Sequence, residues 1–188
     1  PSASEPDRYR YDPADPTPAV GGALLNPRTG GPKDNRQLES RPDVLVYTSD
    51  PLTKDLDVAG PLAAELFVKS SLEHTDFFVR LCDVDGGGRS VNVSDGLLRL
   101  RPEPGANGIR RVRIEMWPVG HRFKRGNRIR LQVSSGAHPR FARNLGAGEP
   151  LGTGTSLKAA DQEIFHDPEH SSALLLPVLG RRPGKDPA

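Results

Sequence analysis

From residue 43 to about residue 178 the apolar side chains tend to recur at every second position, and this period constrains the chain more than any other feature. In 127-NRIRLQVS-134, Ile129, Leu131 and Val133 point one way, while Arg128, Arg130 and Gln132 point the other. Successive side chains of a strand alternate between a dry face and a wet one, whereas a helix needs a 3.6-residue period. No window of twelve residues carries a convincing helical period. The pattern predicts strands at 44–49, 62–70, 77–84, 89–93, 97–101, 109–116, 127–134, 163–166 and 173–178. Turn signals separate them: Ser49-Asp50-Pro51, Asp85-Gly86-Gly87-Gly88, Ser94-Asp95-Gly96 and Pro104-Gly105-Ala106-Asn107-Gly108. About nine short strands with such punctuation predict an all-β jelly-roll β-sandwich over 43–180.

Residues 1–42 read differently. Eight of the nineteen prolines fall here, 12-DPADPTP-18 among them, and no apolar period survives more than a few residues. Such a segment adopts extended geometry and builds no core alone, so it is expected to be an interdomain arm that orders only against a surface. Tyr9, Tyr11, Val20 and Leu24 are its sizeable anchors. The last residues, 181–188, carry almost no apolar content and are expected to fray.

Charge and chemistry narrow the function. The balance of 26 basic to 24 acidic residues gives a net charge of +2, without the concentrated basic excess of a nucleic-acid binder. No apolar run approaches membrane-spanning length, so no membrane partner is expected, and no signal peptide opens the sequence. Cys82 is the only cysteine, which excludes an internal disulfide and leaves the compartment open. It reads as a small buried hydrophobe. No cofactor or metal is expected. The histidines show one close pair, His166 and His170, split by Asp167-Pro168. Asp83-Val84-Asp85-Gly86 resembles half a calcium loop but reads as a hairpin turn. Ser134, Ser135 and His138 are close in sequence but lack the third orienting group of a nucleophile–base pair. Phe67 falls on the polar phase of its strand with Ala63, Glu65 and Lys69, as a stacking platform or an interdomain contact.

One segment carries more than a fold pattern. The strand 127–134 runs straight into 136-GAHPRFARN-144, a polar loop of the kind on which β-domains place surface chemistry. That pairing resembles the C-terminal, non-catalytic β-sandwich domain of the X-Pro dipeptidyl-peptidase and cocaine-esterase-like serine hydrolases. The resemblance extends in order through 9-YRYDPADPTPAVGG-22, 43-DVLVYTSDPL-52, 58-VAGP-61, 75-TDFFVRLCDV-84 and 95-DGLLRLR-101. It departs at Gly126-Asn127-Arg128, where the family has Gly-His-Arg, and at Asn35-Arg36, where Asp-Gln is frequent.

The resemblance implies a jelly roll of the galactose-binding-domain-like kind, catalytically silent, whose partner is the parent chain's own α/β-hydrolase domain. That domain would carry a Ser-His-Asp triad on a G-x-S-x-G elbow, a motif this sequence lacks. The sandwich would pack on it and help wall the substrate pocket of an acyl esterase or X-prolyl dipeptidyl-peptidase. The residues expected at that contact are Tyr11, Asp12 and Asp15 in the arm, and His138, Arg140, Phe141 and Asn144 in the loop. Arg140 and Asn144 have a second reading, as caps that satisfy buried carbonyls. The competing class is a free-standing carbohydrate-binding or adhesion module, which a chain that opens in linker-like sequence disfavours.

Overall fold

A computed structural model describes residues 4–102, 108–150 and 152–180. Among them lie nine strands and one short helix. In chain order these are β1 (Asp7–Tyr11), α1 (Arg36–Glu39), β2 (Leu45–Thr48), β3 (Leu56–Ser70), β4 (Asp76–Val84), β5 (Ser90–Arg99), β6 (Arg110–Phe123), β7 (Arg128–Ser134), β8 (Ala160–Phe165) and β9 (Ala173–Leu175). They form two antiparallel sheets. One has the order β1-β8-β3-β6, with β9 also paired to β3; the other has the order β2-β7-β4-β5. This is the expected all-β sandwich.

The alternating pattern builds the core directly. Val58, Leu62, Ala64, Leu66 and Val68 of β3 meet Phe77, Val79 and Leu81 of β4 across the interior, with Val112, Ile114, Met116, Leu131, Val133 and Ile164 filling the rest. One side of the sandwich closes where β5 approaches β6. A Cβ on Gly96 would strike the carbonyl oxygen of Glu115, so only glycine permits that approach.

Several expectations need correction. Ser94-Asp95-Gly96 is not a turn: β5 runs unbroken through it, because Ser94 donates to the Trp117 carbonyl (2.7 Å) and Gly96 allows β6 to lie close. β3 begins at Leu56 and β6 continues to Phe123, both beyond the stretches where alternation is clean, since long backbone pairing carries them through Gly60 and Gly120. The strand expected at 173–178 covers only Ala173–Leu175. Phe67 is half-buried against its own domain, edge-on to His170 at 5.4 Å and under Arg111 at 6.0 Å. The Asp85 hairpin does form: Asp85 Oδ1 accepts from the amides of Gly87 and Arg89. The turn signal at 104–107 and the tail 181–188 lie outside the described residues.

The arm segment takes part in the fold. Its residues 7–11 form β1, paired with β8 from Asp7↔Ile164 to Tyr11↔Ala160, and Tyr9 and Tyr11 are buried in the core. Val20 and Leu24 are half-buried. The rest of the segment covers the outer face of the second sheet. Asp34 bridges Val91 at the β5 edge, and Asn35 and Leu38 are buried. Glu39 accepts from Ser90, Gln132 and Arg130. The molecule is thus two sheets with a third layer of irregular chain. That layer explains why β4 is buried along nearly its whole length instead of alternating.

Candidate functional site

The arm and the 135–146 loop meet at one end of the sandwich, and the seven residues expected at the interdomain contact lie in these two segments. The His138 amide donates to the Thr17 carbonyl (2.9 Å), and the Ala19 amide donates to the His138 carbonyl (2.8 Å). The His138–Pro139 peptide is cis. Arg143 reaches back to the Pro13 carbonyl (2.7 Å). Arm and loop are therefore stitched together through backbone groups, which holds both in register.

The seven residues divide by what their side chains do. Arg140 and Asn144 work inward. Arg140 Nη1 donates to Asp95 Oδ1 (2.6 Å), and its guanidinium lies 4.9 Å from the Phe141 ring centre. Asn144 Nδ2 donates to Asp76 Oδ1 (2.7 Å), while its Oδ1 accepts from the Gly146 amide (3.0 Å). Phe141 is half-buried against Phe78, ring centres 6.2 Å apart. Tyr11 is 3% exposed, and its hydroxyl is buried without a hydrogen-bond partner among the described residues. Desolvation first, then the charge of Asp76, pushes its phenol up to about 12.

Asp12, Asp15 and His138 face outward. Asp12 Oδ1 caps its own turn through the Ala14 amide (2.8 Å), and Asp15 pairs with Arg41 (3.1 Å). Ser135 is buried between Tyr9 Oη (2.9 Å) and Gln162 Nε2 (3.1 Å), so it is engaged away from the exposed His138 ring. No group of three His, Cys, Asp or Glu side chains converges among the described residues in a way that could hold a metal ion.

Sequence reasoning missed the residues that organise this end. Arg80, fully buried in the middle of β4, is the hub. Its guanidinium donates to the Val20 carbonyl (2.5 Å), to Asn35 Oδ1 (2.8 Å) and to Asp95 Oδ2 (3.1 Å), tying two points of the arm to the carboxylate that also holds Arg140. Burial pulls its pKa below the usual guanidinium value, and the Asp95 charge opposes that pull. Asp76 plays a parallel part, taking a two-pronged grip from Arg99 (2.9 and 2.7 Å) as well as Asn144. Asp43 accepts from Thr17 (2.6 Å) and Arg41 (2.7 Å). A signal did exist: Arg80 is the one charged residue inside the apolar run 77-FFVRLC-82.

Comparison with known proteins places this arrangement. Residues 1–175 match the X-Pro dipeptidyl-peptidase C-terminal non-catalytic domain. The chain belongs to that family. Cocaine esterase of Rhodococcus sp. (strain MB1 Bresler) is 38% identical over 186 residues, covering 93% of this chain and 32% of the esterase. Among solved structures, an aminopeptidase from the marine sediment archaeon Thaumarchaeota archaeon superposes with a TM-score of 0.85 at 27% identity, covering 96% of this chain and 34% of that one. An α-amino acid ester hydrolase gives a TM-score of 0.82 at 27% identity, covering 94% and 33%. The chain therefore spans about a third of the length of these relatives. Asp43, Asp76, Asp95 and Arg99 fall in the short motifs that carry the family resemblance, and each of them supports arm or loop from inside the domain.

Proposed function

We propose that this chain is the C-terminal accessory domain of an α/β-hydrolase-type serine hydrolase, an acyl esterase or X-prolyl dipeptidyl-peptidase. It packs on the catalytic domain and helps wall the substrate pocket. The observation that carries the reading is the family match over residues 1–175, in a chain a third as long as its hydrolase relatives. In this reading the chemistry belongs to the other two-thirds, and the sandwich supplies a rigid platform whose loops reach the pocket.

The arm–loop end is the part offered to the catalytic domain. Asp12, Asp15 and His138 present polar groups outward, and half-buried Phe141 lies in the same loop as His138. Tyr11, Arg140 and Asn144 stand behind and fix those positions. The Tyr11 hydroxyl, buried and unpartnered, lies next to Gly136 at the same end. The free energy of an unsatisfied hydroxyl there is about 1–3 kcal/mol, which a polar group from the catalytic domain would recover.

Two measurements test the reading. The reading frame that encodes this chain should carry an upstream segment with G-x-S-x-G, and its product should hydrolyse short acyl esters or X-Pro anilides. The 188-residue chain alone should do neither above buffer. In the active full-length enzyme, His138→Ala or Asp15→Ala should alter KM more than thermal stability. Turnover by the isolated chain that titrates with a serine-directed phosphonate would overturn the proposal.

A further inference from the structure

We infer that Trp117, together with Leu25 of the loop that leaves the cleft beside it at Ala23, is the apolar anchor by which this domain docks on the rest of a hydrolase chain. This rests on the accessory-domain reading and adds an apolar anchor to the polar arm–loop end named there. Trp117 is 65% exposed on β6, and Leu25 is fully exposed in the loop 23–30. Beside Trp117 runs an open cleft of about 190 Å³, with Gly22, Ala23 and Pro32 on one side and Trp117, Pro118 and Val119 on the other.

Single exposed hydrophobes are ordinary on a protein surface. What sets this pair apart is the rigidity beneath it. The Trp117 carbonyl accepts from Ser94 Oγ (2.7 Å), and the neighbouring strand is locked by the Gly96 approach. The other wall is equally fixed. Gly21 and Gly22 take positive φ, and a Cβ on Gly22 would lie 2.8 Å from Arg140 Nη1 and 2.9 Å from Asp95 Oδ2. An indole held on a stiff strand beside a preformed cleft is the usual form of a binding hot spot, because little entropy is lost on docking.

The occupant follows from what is already covered. The outer face of the second sheet lies under the arm. On the outer face of the first sheet, Arg111 and Arg113 pair with Glu65, and Arg122 pairs with Asp57. Leu175, Val178 and Leu179, at 38%, 52% and 56%, are less exposed than Trp117. Gly22 abuts both the cleft and the Arg140–Asp95 pair, so the Trp117 surface continues into the 138–141 loop. The relatives are about three times as long as this chain, and their remaining length is the partner of fitting size.

Trp117 is the only tryptophan, which makes the test residue-specific. Hydroxyl-radical footprinting read by mass spectrometry should compare the 188-residue chain with the full-length product of its reading frame. Trp117 should oxidise freely in the short chain and roughly ten-fold more slowly in the full-length protein, as expected of an interface core. Trp117→Ser with Leu25→Ser should lower the inactivation temperature of the full-length enzyme and leave the melting of the short chain unchanged. Equal oxidation of Trp117 in both, with another face protected, would overturn this inference and leave the accessory-domain reading standing. No protected face anywhere would overturn both. Concentration-dependent protection in the short chain would make a second copy the occupant, and protection by a glycan would make the surface a sugar site; either overturns the assignment.

Discussion

Arg80 and Asp95 form an ion pair at 3.1 Å in which neither side chain is more than 4% exposed to solvent. Arg140 takes the other carboxylate oxygen at 2.6 Å, so one negative charge serves two buried or nearly buried guanidinium groups. Asp95 is the only carboxylate in ion-pair contact with either arginine among the described residues. Asp95→Asn should therefore destabilise the chain by about 3–5 kcal/mol, since it strands two cations in a low-dielectric site. Urea unfolding checks this, and the arm should lose amide-exchange protection at Gly22 and Asn35 first. A loss below about 1 kcal/mol would mean water reaches the site.

The three tyrosines supply a pH prediction. Burial pushes Tyr11 up to about 12 from an ordinary value of 10.0, and Tyr9 and Tyr47 are also raised, each chiefly by burial. The folded chain holds these protons more tightly than the unfolded chain. Their stabilising contribution is complete below about pH 10 and drains away as pH climbs through about 12. Absorbance at 295 nm should stay flat past pH 10 in the native chain and then rise together with unfolding. In denaturant it should titrate near 10. Early, non-cooperative titration of any one tyrosine would contradict its burial.

Tyr9 and Tyr11 should respond differently to loss of the hydroxyl. Tyr9→Phe removes the bond to Ser135 (2.9 Å) and should cost about 1 kcal/mol. Tyr11→Phe removes a buried hydroxyl without a partner and should be neutral or stabilising in the isolated chain. Equal losses would show that Tyr11 has a partner after all.

Limited trypsin digestion should cut after Arg28 well before Arg8 or Arg10. Arg28 lies in the exposed 23–30 loop, whereas Arg8 and Arg10 lie in β1 and pair with Glu163 (2.8 Å) and Asp161 (2.7 Å). The cut halves should stay associated. Early loss of residues 1–10 would mean that β1 is not held by β8.

Gly96→Ala should cost about 1–3 kcal/mol, because its Cβ meets backbone of β6 and the sheets must part. Gly86→Ala, where a Cβ meets nothing within 4 Å, is the neutral control. Similar effects at both positions would dismiss the contact between β5 and β6.

Much of the fold was legible because a half-buried strand writes its two faces into alternate positions. Ile129, Leu131 and Val133 declare β7, and Leu62, Ala64, Leu66 and Val68 lie at alternate positions in β3. The candidate site was legible in part: the loop from Gly136 to Asn144 stood out, yet which of its side chains turn inward did not. Arg140 and Asn144 are polar residues in a polar loop, and only Asp95 and Asp76, dozens of residues away, make them internal. The destination of the arm was likewise decided by tertiary structure. The sequence by itself determined that residues 1–42 have too little apolar periodicity to form a core of their own. It marked Tyr9 and Tyr11 as anchors and Arg80 as a charge inside an apolar run, but not that the tyrosines complete this sandwich or that Arg80 is sealed beneath Val20 and Asn35. Alternation reports which face of a strand is dry, a local property. What covers the other face depends on contacts between distant segments, and hydrogen bonds to a backbone carbonyl leave no residue type to read.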